Sequence, residues 1–154
     1  MVNILGKFAW VELLIDKTGK SVADGFKRVL ARSKGRIPVC CQSDAGKEFV
    51  CSNFQKILRE NGIMYKLASS SDSKAACAER LIRTIKERLW RYCTHKNTHR
   101  YNDVSQKIVA SDNNTRHSAT KMIPSTVTLE NAVVARENLD TSTTDSINTL
   151  LVTW

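Results

Sequence analysis

Short apolar runs alternate with amphipathic segments along most of this chain, and this alternation constrains the fold more than any other feature. Residues 3–15 have the composition of a β-strand or hairpin arm, and runs typical of short strands occupy 37–43 and 63–67. Helical spacing of apolar residues occupies 21–33, 53–61, 75–98 and 102–112. This order is typical of an α/β protein with helices packed on a sheet. Ser21 and Ser52 are the predicted N-caps of the first two helices, and the helices should end near Gly35 and Gly62.

The length of 154 residues suits one globular domain with one core. We predict that residues 1–131 form this domain. Residues 132–154 include the polar, low-complexity stretch TSTTDS, so we predict a poorly ordered or degenerate tail there. No apolar run approaches the roughly 20 residues that span a bilayer, and the N-terminus lacks the apolar centre of a signal peptide. We therefore expect an intracellular protein.

Cysteine and aromatic side chains are expected in the interior. The five cysteines are odd in number and lack C-x-x-C spacing, which favours buried reduced thiols over a disulfide framework or a zinc cluster. Trp10, Trp90 and Tyr92 are likewise assigned to the core. His95, His99 and His117 lie in or near predicted loops, without a catalytic partner.

The charge of the chain predicts a polyanionic partner. Its formal net charge is +9 and its isoelectric point is about 9.5. A basic surface that only confers solubility is the alternative. Clustering of the cations on one helix favours nucleic acid.

Two carboxylates are candidates for a metal site. Asp44 follows the predicted strand 37–43, and Glu79 lies 35 positions later in the first turns of the predicted helix 75–98. A strand-end and a helix-start carboxylate that converge would suit Mg²⁺, which binds a few carboxylate oxygens together with water and substrate phosphates. The alternatives are solvated surface carboxylates and a surface pair between Glu79 and Arg83.

Cations accompany both carboxylates. Arg80 follows Glu79 directly. Glu79, Arg83 and Lys86 fall at i, i+4 and i+7, on one face of the predicted helix. Lys47 and Lys74 lie in the two loops that should flank the site. Contacts from such side chains to phosphates give affinity for nucleic acid without reading its sequence.

Four stretches resemble the retroviral-type integrase core of Maverick/Polinton-like transposable elements: GKFAWVELLIDKTGKSVADGF, QSDAGKEF, SDSKAACAERLIRTIKERLWRY and NTHRYNDV. The resemblance covers roughly residues 3–131. It implies an RNase H-like mixed sheet flanked by helices and a D,D(35)E site that joins DNA ends with Mg²⁺ or Mn²⁺. Asp44 matches the second acidic residue of that pattern and Glu79 the third. A nuclear location and self-association are further implications.

The chain also departs from the family pattern. The first sheet strand of the family has no counterpart here. Its catalytic aspartate has none either, because Asp16 lies in a predicted turn and Asp24 in a predicted helix. Ile82 stands where the family has Asn. We therefore expect little or no strand transfer from this chain alone, since essential members of a constellation act as a unit. The alternatives are a catalytically dead DNA- or RNA-binding module and a decayed transposon fragment that only self-associates.

Overall fold

The computed structural model describes residues 1–33, 35–68 and 73–142, and all of their side chains except those of 73–76 and 141–142. These residues form two compact units: residues 12–75, here called the sheet unit, and residues 1–11 with 76–142, here called the helical unit. The elements in chain order are α1 (Gly19–Arg32), β1 (Cys40–Ser43), α2 (Lys47–Val50), α3 (Ser52–Glu60), β2 (Met64–Leu67), α4 (Ser73–Lys96), α5 (Asn102–Asn113), a 3₁₀ turn (Pro124–Thr126) and α6 (Ala132–Ser142).

Two parallel strands form the centre of the sheet unit. β1 pairs with β2 in the register Cys40↔Met64 to Ser43↔Leu67, and α2 and α3 form the crossover between them. Parallel strands need such a crossover, which a two-residue hairpin cannot supply. The predicted α/β class, with a sheet flanked by helices, is confirmed.

The core of the sheet unit is an aromatic cluster between helices and sheet. Phe54 of α3 is buried, and its ring lies 5.0 Å from that of Phe26 in α1, 5.5 Å from Phe49 in α2 and 6.4 Å from Tyr65 in β2. Such tilted and edge-to-face pairs are favourable beyond the area that they bury. Phe54 therefore links the three helices of the unit to its sheet.

The start of α1 differs from the prediction. The N-cap is Thr18 and not Ser21, because the Thr18 hydroxyl accepts the amide of Ser21. Asp16 in turn accepts the amide and the hydroxyl of Thr18, at 3.0 and 2.6 Å. This local network begins the helix one turn earlier than Ser21 would. At the start of α3 the cap is Cys51, one residue before the predicted Ser52.

Residues 3–15, predicted as a strand or hairpin arm, do not form a continuous strand. The chain pairs there through a short antiparallel bridge, Val2↔Ala9, in the helical unit. Asn113 of α5 binds both polar groups of Ala9: its Oδ1 accepts the amide at 2.8 Å, and its Nδ2 donates to the carbonyl at 2.9 Å. A side-chain amide thus takes the place of a neighbouring strand.

Residues 12–15, in the sheet unit, lie against α1. Glu12 forms ion pairs with Arg28, at 2.5 Å, and with Arg32. A Cβ at position 25 would lie 2.5 Å from Leu14 Cδ2, so Gly25 permits this close approach. The segment therefore packs on a helix, although its β-branched and aromatic composition is typical of a strand.

The predicted tail begins with a helix. We expected poor order from residue 132, but α6 covers Ala132–Ser142. Ala135 is fully buried, and Asn138 Nδ2 donates to the carbonyl of Thr120 at 2.9 Å. These tertiary contacts stabilise a segment whose composition alone does not predict order. Residues 143–154 lie outside the described residues, and the domain boundary at 131 stays a prediction.

All five cysteines are free and partly buried. Burial, with a smaller effect of Cys40, raises the pKa of Cys41 to about 11, so this thiol is protonated near neutral pH.

Within the described ranges, no helix has the length and apolar character needed to cross a membrane.

The loop after α5 contains a pH-sensitive histidine. His117 Nδ1 accepts the amide of Ala119 at 3.2 Å. Burial lowers the pKa of His117, Lys7 and Arg80 lower it further, and Asp112 opposes them. A lowered pKa means that the unfolded chain binds more protons below about pH 6.5. The contribution of His117 to stability is therefore present above that pH and is lost as the pH falls towards the folded pKa.

We expect His117→Asn to reduce this acid sensitivity, because Asn keeps an acceptor for Ala119 but does not titrate. Urea unfolding at pH 7.5 and pH 5 would measure it. The fall in unfolding midpoint should be smaller in the variant than in the wild type. An equal fall in both proteins would contradict the assignment and leave other groups as its cause.

Candidate nucleic-acid interface and carboxylates

Asp44 lies at the carboxyl end of β1, as predicted, with its side chain exposed. The preceding Ser43 holds the strand end: its hydroxyl donates to the Asp44 carbonyl and also pairs with the Tyr65 hydroxyl, both at 2.8 Å. Because Tyr65 belongs to β2, this bond ties the end of β1 to the neighbouring strand. The bond between Ser43 and Tyr65 was not predicted, and strand pairing is needed to bring these residues together.

The loop after Asp44 leads into the short helix α2, which the sequence did not predict. Gly46 precedes it, and the side chain of Lys47, the first residue of α2, is exposed. Phe49 anchors α2 to the core through its edge contact with Phe54. Lys47 was predicted to lie in a loop beside Asp44. It instead begins a helix, three positions after Asp44.

Glu79 and its neighbouring cations are exposed on α4, in the helical unit. Glu79, Arg80, Arg83 and Lys86 all have exposed side chains, and none of them joins an ion pair among the residues that the structure describes. The surface pair between Glu79 and Arg83, the alternative to a metal site, is therefore not formed among these residues. Other cations of α4 are paired: Arg88 with Asp112 at 3.1 Å and Arg91 with Glu87 at 2.6 Å.

Trp90 lies on the surface and not in the core. We assigned it to the core, but it is 76% exposed. An α-helix advances about 100° per residue, so Trp90 projects from the face that carries Arg83 and Lys86 and not from the apolar stripe beside it. The helical position of Trp90 therefore indicated its exposure, but we assigned it to the core because aromatic residues are usually buried. Trp10 and Tyr92 are partly buried.

Lys74 falls within the backbone of α4, and its side chain lies outside the described residues. It was predicted in a loop and lies in a helix, since α4 begins at Ser73.

Asp44 belongs to the sheet unit and Glu79 to the helical unit. Both have the oxygen-donor chemistry that a hard cation requires. Neither carboxylate is engaged in an ion pair or side-chain hydrogen bond within the described part of the chain, so nothing there competes with a metal. Among those residues no group of three or more His, Cys, Asp or Glu side chains is placed to hold a metal.

Asp16 has a structural role. Hydrogen bonds from the side chains of Ser21 and Thr18, and from the Thr18 backbone, lower its pKa to about 2. This carboxylate organises the start of α1. Asp24 lies within α1 itself.

Solved structures share the fold of this chain. The catalytic core domain of BIV integrase superposes with a TM-score of 0.70 over 88% of this chain and 86% of that domain, at 18% sequence identity. The catalytic core domain of HTLV-2 integrase, in a trimeric form in complex with magnesium, gives 0.66 over 80% and 78%, at 17% identity. The chain has the fold of a retroviral integrase catalytic core.

Sequence relatives of this integrase-like core come from transposons. An uncharacterised transposon-derived protein of Caenorhabditis elegans is 35% identical over 113 residues, which cover 73% of this chain and 39% of that protein. Ty1 Gag-Pol polyproteins of Saccharomyces cerevisiae are 36% identical over 83 residues, 51% of this chain and 5% of their own length. The chain thus spans less than half the length of these relatives. No protein-family model matches it.

Proposed function

We propose that this integrase-like core binds DNA, or RNA, through the exposed face of α4. One observation carries the proposal: Arg80, Arg83 and Lys86 are exposed and form no ion pair within the described ranges, whereas Arg88 and Arg91 of the same helix do. Cations without an acidic partner are available to phosphates. Binding would release counterions from the nucleic acid, which is the main source of affinity in such contacts.

The remaining charge supports the same partner. The chain carries a net charge of +9, which raises the rate of encounter with a polyanion. Exposed Lys47 beside Asp44 extends the proposed contact set, and Lys74 at the start of α4 is its last member. The transposon origin of the sequence relatives favours DNA.

The second part of the proposal is descent from a DNA-integrating enzyme, with little or no joining activity expected from this chain alone. We assign Asp44 and Glu79 as the carboxylates that would hold Mg²⁺ or Mn²⁺ in a D,D(35)E-type site of the Maverick/Polinton kind. A bound divalent ion would stabilise the charge that develops on the oxygens of a phosphodiester. Lys47, Arg83 and Lys86 would position the DNA backbone beside it. A nuclear location and homo-oligomeric assembly complete the proposal.

The binding proposal predicts a strong salt dependence that α4 determines. Arg83→Ala/Lys86→Ala should weaken binding to a labelled duplex, and it should reduce the slope of log affinity against log salt by about 2, since each phosphate contact contributes about 0.9. Fluorescence anisotropy from 50 to 200 mM salt would measure both quantities.

A matched control removes the same charge elsewhere. Lys56→Ala/Arg59→Ala deletes two exposed cations from α3, in the sheet unit. This variant should retain most of the wild-type slope. If both double variants reduce the slope equally, only net charge matters and α4 is not the interface. A wild-type affinity without salt dependence would remove nucleic acid as the partner and leave the self-associating fragment.

A further inference from the structure

We propose that Trp90 stacks on an unpaired base of the nucleic acid whose phosphates contact Arg83 and Lys86. This inference rests on the proposed function and names a further binding residue for it. Trp90 is 76% exposed, more than any other aromatic side chain in the described part of the chain. An exposed indole beside cations offers a flat apolar surface that a nucleic acid base can cover.

The spacing along α4 supports this assignment. At about 100° per residue, Glu79, Arg83, Lys86 and Trp90 fall within an arc of roughly 60° on one side of the helix. The rise of about 1.5 Å per residue places Trp90 roughly 6 Å along the axis from Lys86 and roughly 10 Å from Arg83. A stacked strand repeats about every 3.4 Å, so the two cations and the indole would span about three nucleotides.

Charge complementarity selects the occupant. The cations on this arc are exposed and have no acidic partner within the described ranges. The acid beside Lys86, Glu87, pairs with Arg91 at 2.6 Å, and Glu79 lies at the end of the arc furthest from Trp90. An apolar protein surface would have to desolvate these cations, whereas a nucleic acid strand offers phosphates to them and a π-face to the indole.

Stacking also specifies the state of the nucleic acid. Bases inside a duplex already stack on their neighbours, so a side chain outside it reaches their edges but not their faces. Single-stranded segments and frayed ends expose base faces, and aromatic side chains use them with little sequence preference. Trp90 should therefore favour single strands over duplex of the same length.

Fluorescence reports the contact directly. The chain has three tryptophans, and Trp10→Phe/Trp154→Phe leaves Trp90 as the reporter. An oligo-dT strand should quench this emission, and a duplex of equal length should quench it less. Trp90→Ala should weaken binding of oligo-dT roughly 5- to 100-fold, the range for loss of one stacked base, and should change duplex affinity less than about twofold.

Two variants separate stacking from general loss of apolar surface. Trp90→Phe keeps an aromatic ring and should stay close to the wild type, whereas Trp90→Leu should behave like Trp90→Ala. Leu129→Ala removes another exposed apolar side chain of the helical unit, 67% exposed, and should have no effect. Equal loss of duplex and single-strand affinity in Trp90→Ala would overturn the inference. Wild-type affinity of Trp90→Leu for oligo-dT would also overturn it.

The two proposals fail differently in this experiment. If wild-type protein binds both nucleic acids and Trp90→Ala changes neither affinity, base stacking is wrong and the phosphate interface stands. If wild-type protein binds neither, the proposed function fails and the inference fails with it. Sedimentation at several protein concentrations tests the remaining occupant: self-association that Trp90→Ala abolishes would assign the indole to an interface between copies.

Discussion

Replacing Phe54 with alanine is expected to lower the free energy of unfolding by about 3–5 kcal/mol, the range for truncation of a buried aromatic side chain. Phe54 is 2% exposed, and its ring contacts those of Phe26, Phe49 and Tyr65. The substitution therefore leaves a cavity where α1, α2, α3 and β2 meet. Urea unfolding followed by circular dichroism would measure the change.

Val50→Ala is the matched control for this variant. Val50 is in the neighbouring helix α2 and is 52% exposed, so its truncation should cost less than about 1 kcal/mol. Phe54→Leu should fall between the two, because leucine fills part of the cavity. A loss below about 1 kcal/mol in Phe54→Ala would show that the aromatic cluster does not hold the sheet unit together.

Joining of DNA ends by the purified chain with Mg²⁺ or Mn²⁺ is expected to stay at background, orders of magnitude below a complete integrase site. Asp44 and Glu79 provide two carboxylates, whereas a two-metal mechanism also relies on a ligand shared by both ions. Asp16 is committed to Thr18 and Ser21 at the start of α1, so it does not supply that ligand. Nicking and joining of a labelled duplex would test this.

Asp44→Asn and Glu79→Gln belong in the same assay. They preserve side-chain shape and remove one negative charge each. We expect background signal from all three proteins, with DNA binding retained. Metal-dependent joining by the wild type that both variants lose would contradict the expectation. It would establish Asp44 and Glu79 as functional ligands and require a third ligand that we have not assigned.

Local patterns account for the elements that were predicted well. The strands β1 and β2 lie within the predicted runs 37–43 and 63–67, and α5 ends one residue beyond its prediction. Each of these segments has the periodicity or composition of its own secondary structure, and glycine or polar residues bound it. The same local signal placed Asp44 at a strand end and Glu79 on a helix.

The errors share one physical cause. Residues 3–15 have the composition of a strand, yet Asn113 occupies the backbone groups of Ala9 from a position 104 residues away. The burial of Ala135 orders a helix where polarity predicted a tail. The exposure of Trp90 reverses a preference of its residue type. In each case a distant contact, or the lack of burial, outweighed a local propensity.

Local sequence patterns predict the α/β order of elements, the strand end at Asp44 and the helical arc that carries Glu79, Arg83 and Lys86. These features depend on interactions within a few residues, which the spacing of apolar and charged positions records. Long-range contacts set the path of residues 1–15, the folding of α6, the bond between Ser43 and Tyr65 and the exposure of Trp90. These depend on which surfaces meet across the fold, and the free energy of such contacts is absent from any local window of sequence.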